Sequence, residues 1–147
     1  MFKKILVPVD GSDVSKHAAQ AAAELARLSG ARLVALYVAP AYKPNVHEES
    51  TSLGFVSPDE YAKRARLEAA PHLASVAEAA KSVGAASEAQ FAMSDSIADA
   101  IVDTATQHGC DTIVMGSHGH TGIRKMLLGS VAQQVLGAAT IPVVVTR

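Results

Sequence analysis

Short, continuous runs of apolar residues alternate along the chain with longer stretches in which apolar residues recur at helical spacing. The short runs are rich in β-branched residues and predict buried strands. They cover residues 4–9, 32–38, 86–92, 112–115 and 142–146. The run over 86–92 is the least typical of a strand, because Ala, Ser and Glu are poor strand formers.

The stretches between these runs predict helices with recognisable ends. The first helix should begin after Ser12, a good N-cap, and end near Ser29, where Gly30 can adopt the left-handed conformation. Its small and apolar side chains should let it lie close to a sheet. They form one predicted stripe, made of Val14, Ala18, Ala22, Leu25 and Leu28.

The second helix has the clearest start signal. Ser57 and Glu60 form a capping box with Pro58 at the first helical position, so a long helix should begin here and extend to Ser82. Pro71 lies inside this helix and is expected to kink or divide it, because proline removes an intrahelical hydrogen bond.

Two shorter helices complete the alternation. One is opened by residues 94–96 and stopped at Gly109, and the other covers 130–137. The irregular polar stretch over 41–56 is long for a loop in a compact domain, which suggests a cover or a functional insertion.

The order of elements, βαβαβαβαβ, predicts an α/β fold: one open parallel sheet with helices on both faces and right-handed crossovers. In such sheets ligands bind beyond the carboxyl ends of the strands, where the strand order reverses. This rule directs attention to residues 8–11, residues 38–40 and the segment that follows Met115.

Composition narrows the possible functions. With 147 residues, of which 49% are hydrophobic, the chain predicts one domain with a proper core. No stretch approaches the roughly 18 apolar residues that cross a bilayer, and the apolar run ending at Val9 is too short for a signal-peptide core, so we expect a cytoplasmic protein. A net charge of −1 and the absence of tryptophan argue against nucleic acid as a partner. A single cysteine, Cys110, excludes an internal disulfide and is expected to be a half-buried small residue.

The segment after Met115 carries the candidate chemistry. Gly116 and Gly119 stand where the chain must turn with its backbone amides exposed, and Gly129-Ser130 begins the next helix, where the positive end of the dipole favours an anion. His118, His120, Arg124 and Lys125 add positive or potentially positive groups, so a polyphosphate is a natural occupant. Neither a Walker loop nor the dinucleotide-binding glycine pattern occurs. Glycines after a strand also serve simply as turns, and the residues alone leave that alternative open.

Three motifs together resemble the universal stress protein family over the whole chain. The spacing of Gly116, Gly119 and Gly129-Ser130, with nine residues before the last pair, is similar to the nucleotide motif of its ATP-binding branch. The opening residues 5–12 and the closing residues 141–145 resemble the first and last strands of that family. Gly122 departs from the pattern, since related loops often carry a larger residue there.

The resemblance implies a single domain over residues 1–147, a five-stranded sheet of order 3-2-1-4-5 of the Rossmann-like, adenine nucleotide alpha-hydrolase-like type, and bound ATP. It implies that the phosphates are held by Gly116, Gly119, Gly129 and Ser130, with Ser117, His118, His120 and Val131 close by. It implies that the adenosine is bordered by Pro8, Val9 and Asp10, by the backbone of Val38, and by Met115 beneath.

Metal binding by the protein itself is weakly indicated. His118 and His120 form an H-x-H pair without a clear third ligand, so a Mg²⁺ ion held mainly through the phosphates is favoured over zinc bound by the protein. The other histidines are interpreted as surface residues: His17, His47, His72 and His108.

The resulting hypothesis is an ATP-binding, nucleotide-responsive regulator in the stress response. No catalytic constellation is evident, so we expect at most slow hydrolysis. An adenylating or nucleotide-hydrolysing enzyme on the same fold remains an alternative, as does a protein-interaction module without nucleotide. The strand over 142–146 should lie at a sheet edge, and the resemblance implies a homodimer formed through it, from Pro142 to Thr146, together with an unidentified regulated protein.

Overall fold

The computed structural model describes residues 2–44, 56–119 and 127–147. Strands and helices alternate through them in the predicted order. The elements are β1 (Lys4–Pro8), α1 (Asp13–Ser29), β2 (Arg32–Ala39), α2 (Pro58–Ser82), β3 (Ser87–Met93), α3 (Ile97–Gln107), β4 (Thr112–Gly116), α4 (Ser130–Ala138) and β5 (Val143–Thr146). Each predicted boundary lies within one or two residues of the observed one. Of the irregular stretch over 41–56, residues 45–55 lie outside the described part of the chain.

The five strands form one parallel sheet in the order β3-β2-β1-β4-β5, as predicted. β1 lies at the centre, with Ile5 paired to Leu33 of β2 on one side and to Thr112 of β4 on the other. The connections run outward from β1 in one direction through β2 and β3, and in the other through β4 and β5. The strand order therefore reverses between β1 and β4, and the crevice typical of such a reversal opens at their carboxyl ends.

Side chains alternate between two hydrophobic cores, one on each face of the sheet. Ile5 and Val114 point to the face covered by α1 and α2, whereas Leu6 and Ile113 point to the face covered by α3 and α4. All four are fully buried. Each such side chain stabilises the fold by about 1.5–3 kcal/mol relative to exposure.

Helix α1 buries alanines rather than leucines. Ala18, Ala22 and Ala26 pack against the sheet, while Leu28 is 71% exposed, so the predicted stripe is wrong at its carboxyl end. Small side chains let the helix approach the strands closely, and this favours the rotation that places alanine inward. The end signals are as predicted: Ser12 accepts a hydrogen bond from the amide of Ser15, and Gly30 has a φ of +72°.

Helix α2 runs without interruption through Pro71. Of the two effects expected of Pro71, a kink or a division, the division is therefore wrong. Pro71 lies on the exposed side, while Ala69, Val76 and Ala80 are buried on the opposite side and anchor both halves of the helix. The loss of one intrahelical hydrogen bond is outweighed by this tertiary packing. Among the described helices, none is both long and apolar enough to cross a membrane.

Candidate functional site

The carboxyl ends of β1, β2 and β4 surround a cavity of about 500 Å³. Its size and its place at the strand-order reversal are those of a small-molecule site. The structure brings twelve of the thirteen candidate binding residues to its lining: Pro8, Val9, Asp10, Val38, Met115, Gly116, Ser117, His118, Gly119, Gly129, Ser130 and Val131. The thirteenth, His120, lies outside the described residues.

The amino end of α4 forms one wall of the cavity. The first intrahelical hydrogen bond runs from the amide of Gln133 to the carbonyl of Gly129, so the amides of Ser130, Val131 and Ala132 precede it. Gly129, the N-cap residue, makes no side-chain capping bond. Amides at this position, together with the helix dipole, attract an anion.

Gly129 permits a close approach between the two halves of this wall. Its amide donates to the carbonyl of Ser117 at 2.6 Å. A β-carbon on Gly129 would lie 3.0 Å from that same carbonyl oxygen and 3.4 Å from the α-carbon of His118. Both neighbours are backbone atoms, so a larger residue would force the start of α4 away from the loop.

Ser117, directly after β4, is firmly held. It is 1% exposed, and its amide donates to the carbonyl of Thr146 at 2.7 Å. Its hydroxyl lies 2.8 Å from Nδ1 of His118, which fixes the orientation of the imidazole. His118 itself is half-buried and lines the cavity, where its ring can serve as a hydrogen-bond donor.

Asp10 lies between the loop and the first turn of α1. Its Oδ1 accepts from the amide of Ser12 at 2.9 Å. A β-carbon on Gly119 would lie 2.8 Å from its Oδ2, so the carboxylate reaches the glycine-rich loop. This places a hydrogen-bond acceptor in the lining of the cavity.

An apolar compartment lies on the α3/α4 side of the cavity. Met115 is buried at the end of β4, and Val38 packs against the same hydrophobic core from the end of β2. The lining continues along α3 through Ile97 and Ile101. Flat apolar groups such as nucleobases fit a surface of this kind.

Three residues that sequence reasoning missed line the opposite side: Tyr37, Glu68 and His72. The interpretation of His72 as a plain surface residue is therefore wrong, since its ring stacks on Tyr37 with 5.7 Å between centroids. The pKa of Tyr37 is raised, first by burial and then by the negative charges of Glu68 and Asp10. The available signal was the i, i+4 spacing of Glu68 and His72, which puts them on one face of α2.

The other histidines differ from one another. His17 is exposed, as predicted, whereas His108 is half-buried with its Nδ1 3.6 Å from a carboxylate oxygen of Glu88. Within residues 2–44, 56–119 and 127–147, no three His, Cys, Asp or Glu side chains are grouped as metal ligands.

Comparison with known proteins gives a consistent result. The model of the universal stress protein family matches residues 1–147. Universal stress protein YxiE of Bacillus subtilis is 34% identical over 152 residues, covering the whole of both chains.

Solved structures share the fold. Universal stress protein UspA from Lactobacillus plantarum matches with a TM-score of 0.75 at 25% identity, over 99% of this chain and 97% of its own. A universal stress protein from Archaeoglobus fulgidus, solved in complex with dAMP, matches with a TM-score of 0.70 at 26% identity, over 99% and 98% of the two chains.

Proposed function

Since the chain belongs to the universal stress protein family, we propose that it is an ATP-binding regulator built as one domain over residues 1–147. ATP occupies the cavity at the carboxyl ends of β1, β2 and β4. Occupancy changes the surface around the glycine-rich loop, and a regulated protein reads that change. The protein acts in the cytoplasm as part of a stress response.

The observation that carries this proposal is the amino end of α4. The residues whose amides precede the first intrahelical bond line the cavity, and Gly129 lets the loop at Ser117 pack directly against the start of the helix. A triphosphate is a common metabolite group whose negative charge suits such a wall. Mg²⁺ is held mainly through the phosphates and reduces their mutual repulsion.

The positions of the base and the sugar follow from the position of the phosphates. The base enters the apolar compartment between Met115 and Ile101, and its polar edge meets the backbone of Val38. The sugar then lies over Asp10. A nucleotide ligand is consistent with the archaeal relative solved with dAMP.

ATP acts as a bound ligand with at most slow turnover. Hydrolysis in line with the γ-phosphate requires a group that orients water. In the described part of the cavity, Asp10 is bonded to the turn at Ser12 and His118 to Ser117. A steady-state phosphate-release assay on pure protein should therefore give a rate far below the roughly 1 s⁻¹ at which ordinary enzymes begin. Release at or above that rate favours the alternative of a nucleotide-hydrolysing enzyme.

The protein is a homodimer through β5. This strand lies at the edge of the sheet, next to β4, and its three valines are only half-buried within one chain. An exposed apolar edge strand is a template for pairing with a second copy.

The binding site is tested by titrating nucleotide-free protein with Mg-ATP in a calorimeter. Gly129→Ala should weaken binding at least about tenfold, because the added carbon displaces the amides that bind phosphate. Gly137→Ala is the matched control in the same helix, where a β-carbon would meet no described heavy atom within 4 Å. It should bind like the parent protein.

Two results would contradict the proposal. Equal affinities for the parent and Gly129→Ala would place any nucleotide elsewhere. A folded, ligand-free parent that binds no nucleotide would favour the alternative of a protein-interaction module.

A further inference from the structure

The cavity has a polar wall on the α1/α2 side of the sheet, formed by Tyr37, Glu68 and His72. Side chains alternate along β2, so that Leu36 belongs to the core under α3 and α4 while Ala35 belongs to the core under α1 and α2. Tyr37 therefore points toward α2, where Glu68 and His72 lie one helical turn apart. We call these three residues the α2 wall.

The rings of the α2 wall are held in place before any ligand binds. Tyr37 stacks with both His72 and Phe91, with centroid distances of 5.7 Å and 6.3 Å. The guanidinium of Arg66 covers Phe91 at 4.5 Å. The His72 ring also lies against Gly11, where a β-carbon would be 2.7 Å from Nδ1. Rings fixed in this way lose little conformational entropy when they bind.

The α2 wall is rich in hydrogen-bond acceptors. Glu68, Asp10 and Tyr37 line the same cavity, so the two carboxylates and the phenol border a common space. Ionised carboxylates only accept hydrogen bonds, and a phenol can both donate and accept. The chemistry best matched to such a wall is a pair of neighbouring hydroxyl groups.

The α2 wall lies on the side of the cavity opposite the apolar compartment, and it lines the cavity together with Asp10, over which the proposed function places the sugar of the bound nucleotide. We propose that the α2 wall binds the ribose hydroxyls and makes the site prefer ribonucleotides over deoxyribonucleotides. The inference rests on the proposed nucleotide function and adds a specificity that the glycine-rich loop cannot supply. Groups that hydrogen-bond a ligand hydroxyl discriminate against the ligand that lacks it, because that hydrogen bond is then lost.

The test compares affinities for ATP, 2′-deoxy-ATP and 3′-deoxy-ATP in the parent and in matched variants. The parent should bind ATP about tenfold more tightly than at least one deoxy analogue, as expected for loss of a hydrogen bond to a charged group. Tyr37→Phe keeps the stacked ring and removes only the hydroxyl, while Glu68→Gln removes only the charge. Each should reduce the preference for ATP and leave the affinity for the deoxy analogue unchanged.

The control is Glu78→Gln, the same charge change at an exposed position of α2 that does not line the cavity. It should keep the full preference. Equal binding of ATP and both deoxy analogues by the parent would overturn this inference and leave the proposed function intact. The same conclusion would follow if Tyr37→Phe and Glu68→Gln lowered the affinity for all three nucleotides equally. A folded parent that binds none of the three would overturn both.

Discussion

At the scale of single residues, Gly11 shows how a backbone position and a distant side chain constrain each other. Its φ is +84°, a conformation that L side chains rarely adopt, and the imidazole of His72 occupies the space of a β-carbon. The turn after β1 therefore supports the α2 wall directly.

Gly11→Ala should lower the free energy of unfolding by about 2–4 kcal/mol, because left-handed strain of about 1–2 kcal/mol adds to a steric clash. Gly30→Ala is the control for the strain alone. Gly30 has a φ of +72°, and a β-carbon there meets no described heavy atom within 4 Å. Urea unfolding measures both variants. Equal losses of unfolding free energy in the two variants would show that the His72 ring moves aside without an energetic penalty.

Cys110 gives a prediction for alkaline pH. Burial raises the pKa of its thiol from 9.0 to about 11. As the pH rises, the Cys110 thiol therefore loses its proton in the unfolded chain before it does so in the folded one. The stability contributed by the protonated thiol is complete below about pH 9 and is lost between about pH 9 and 11. Relative to Cys110→Ala, the parent should lose at most about 1.4 kcal/mol per pH unit in that window. Urea unfolding at several pH values checks this, and parallel pH curves for the two proteins would contradict it.

The candidate site was only partly predictable at this scale. The loop residues Gly116, Ser117 and Gly129 follow from a local pattern that places glycines and a helix start after a strand. Tyr37 and His72 were missed because their contact depends on how α2 is rotated over β2, and helical spacing alone leaves that rotation undetermined. The same uncertainty explains the exposure of Leu28.

At the scale of elements, capping residues predicted the helix ends reliably, and apolar runs predicted the strands. Ser57 accepts from the amide of Glu60, and Gly30 closes α1, because capping depends on a few adjacent residues. The predicted division at Pro71 was wrong because the loss of one intrahelical hydrogen bond is opposed by packing of α2 against the sheet, which local sequence does not reveal.

The edge strand β5 carries the prediction for assembly. The carbonyl of Pro142 accepts from Ile113 of β4 and that of Thr146 accepts from Ser117 directly after β4, so by alternation the amides of Val143 and Val145 point to the open edge. Val145→Pro removes one outward amide and keeps the bonds to β4, so it should convert the dimer to a monomer. Val145→Ala loses comparable packing but retains the amide, and it should stay dimeric.

Light scattering distinguishes the two states. The parent should have twice the 15.2 kDa mass of one chain. A parent that is monomeric at micromolar concentration would contradict the dimer, and a dimeric Val145→Pro would place the interface elsewhere.

At the scale of the whole molecule, alternation of strands and helices predicted a parallel sheet and a ligand site at its carboxyl edge. The strand order came from the family resemblance, because apolar periodicity does not determine which strands are neighbours. Once β1 lies between β2 and β4, residues more than a hundred positions apart in sequence, such as Asp10 and Gly119, meet in one cavity.

The most direct test of ATP binding at the amino end of α4 is a two-dimensional ¹H–¹⁵N NMR titration of nucleotide-free protein with Mg-ATP. The amides of Ser130, Val131 and Ala132 should show the largest shifts, since they face the phosphates. Shifts confined to residues away from the cavity, or no shifts at saturating ATP, would contradict the account.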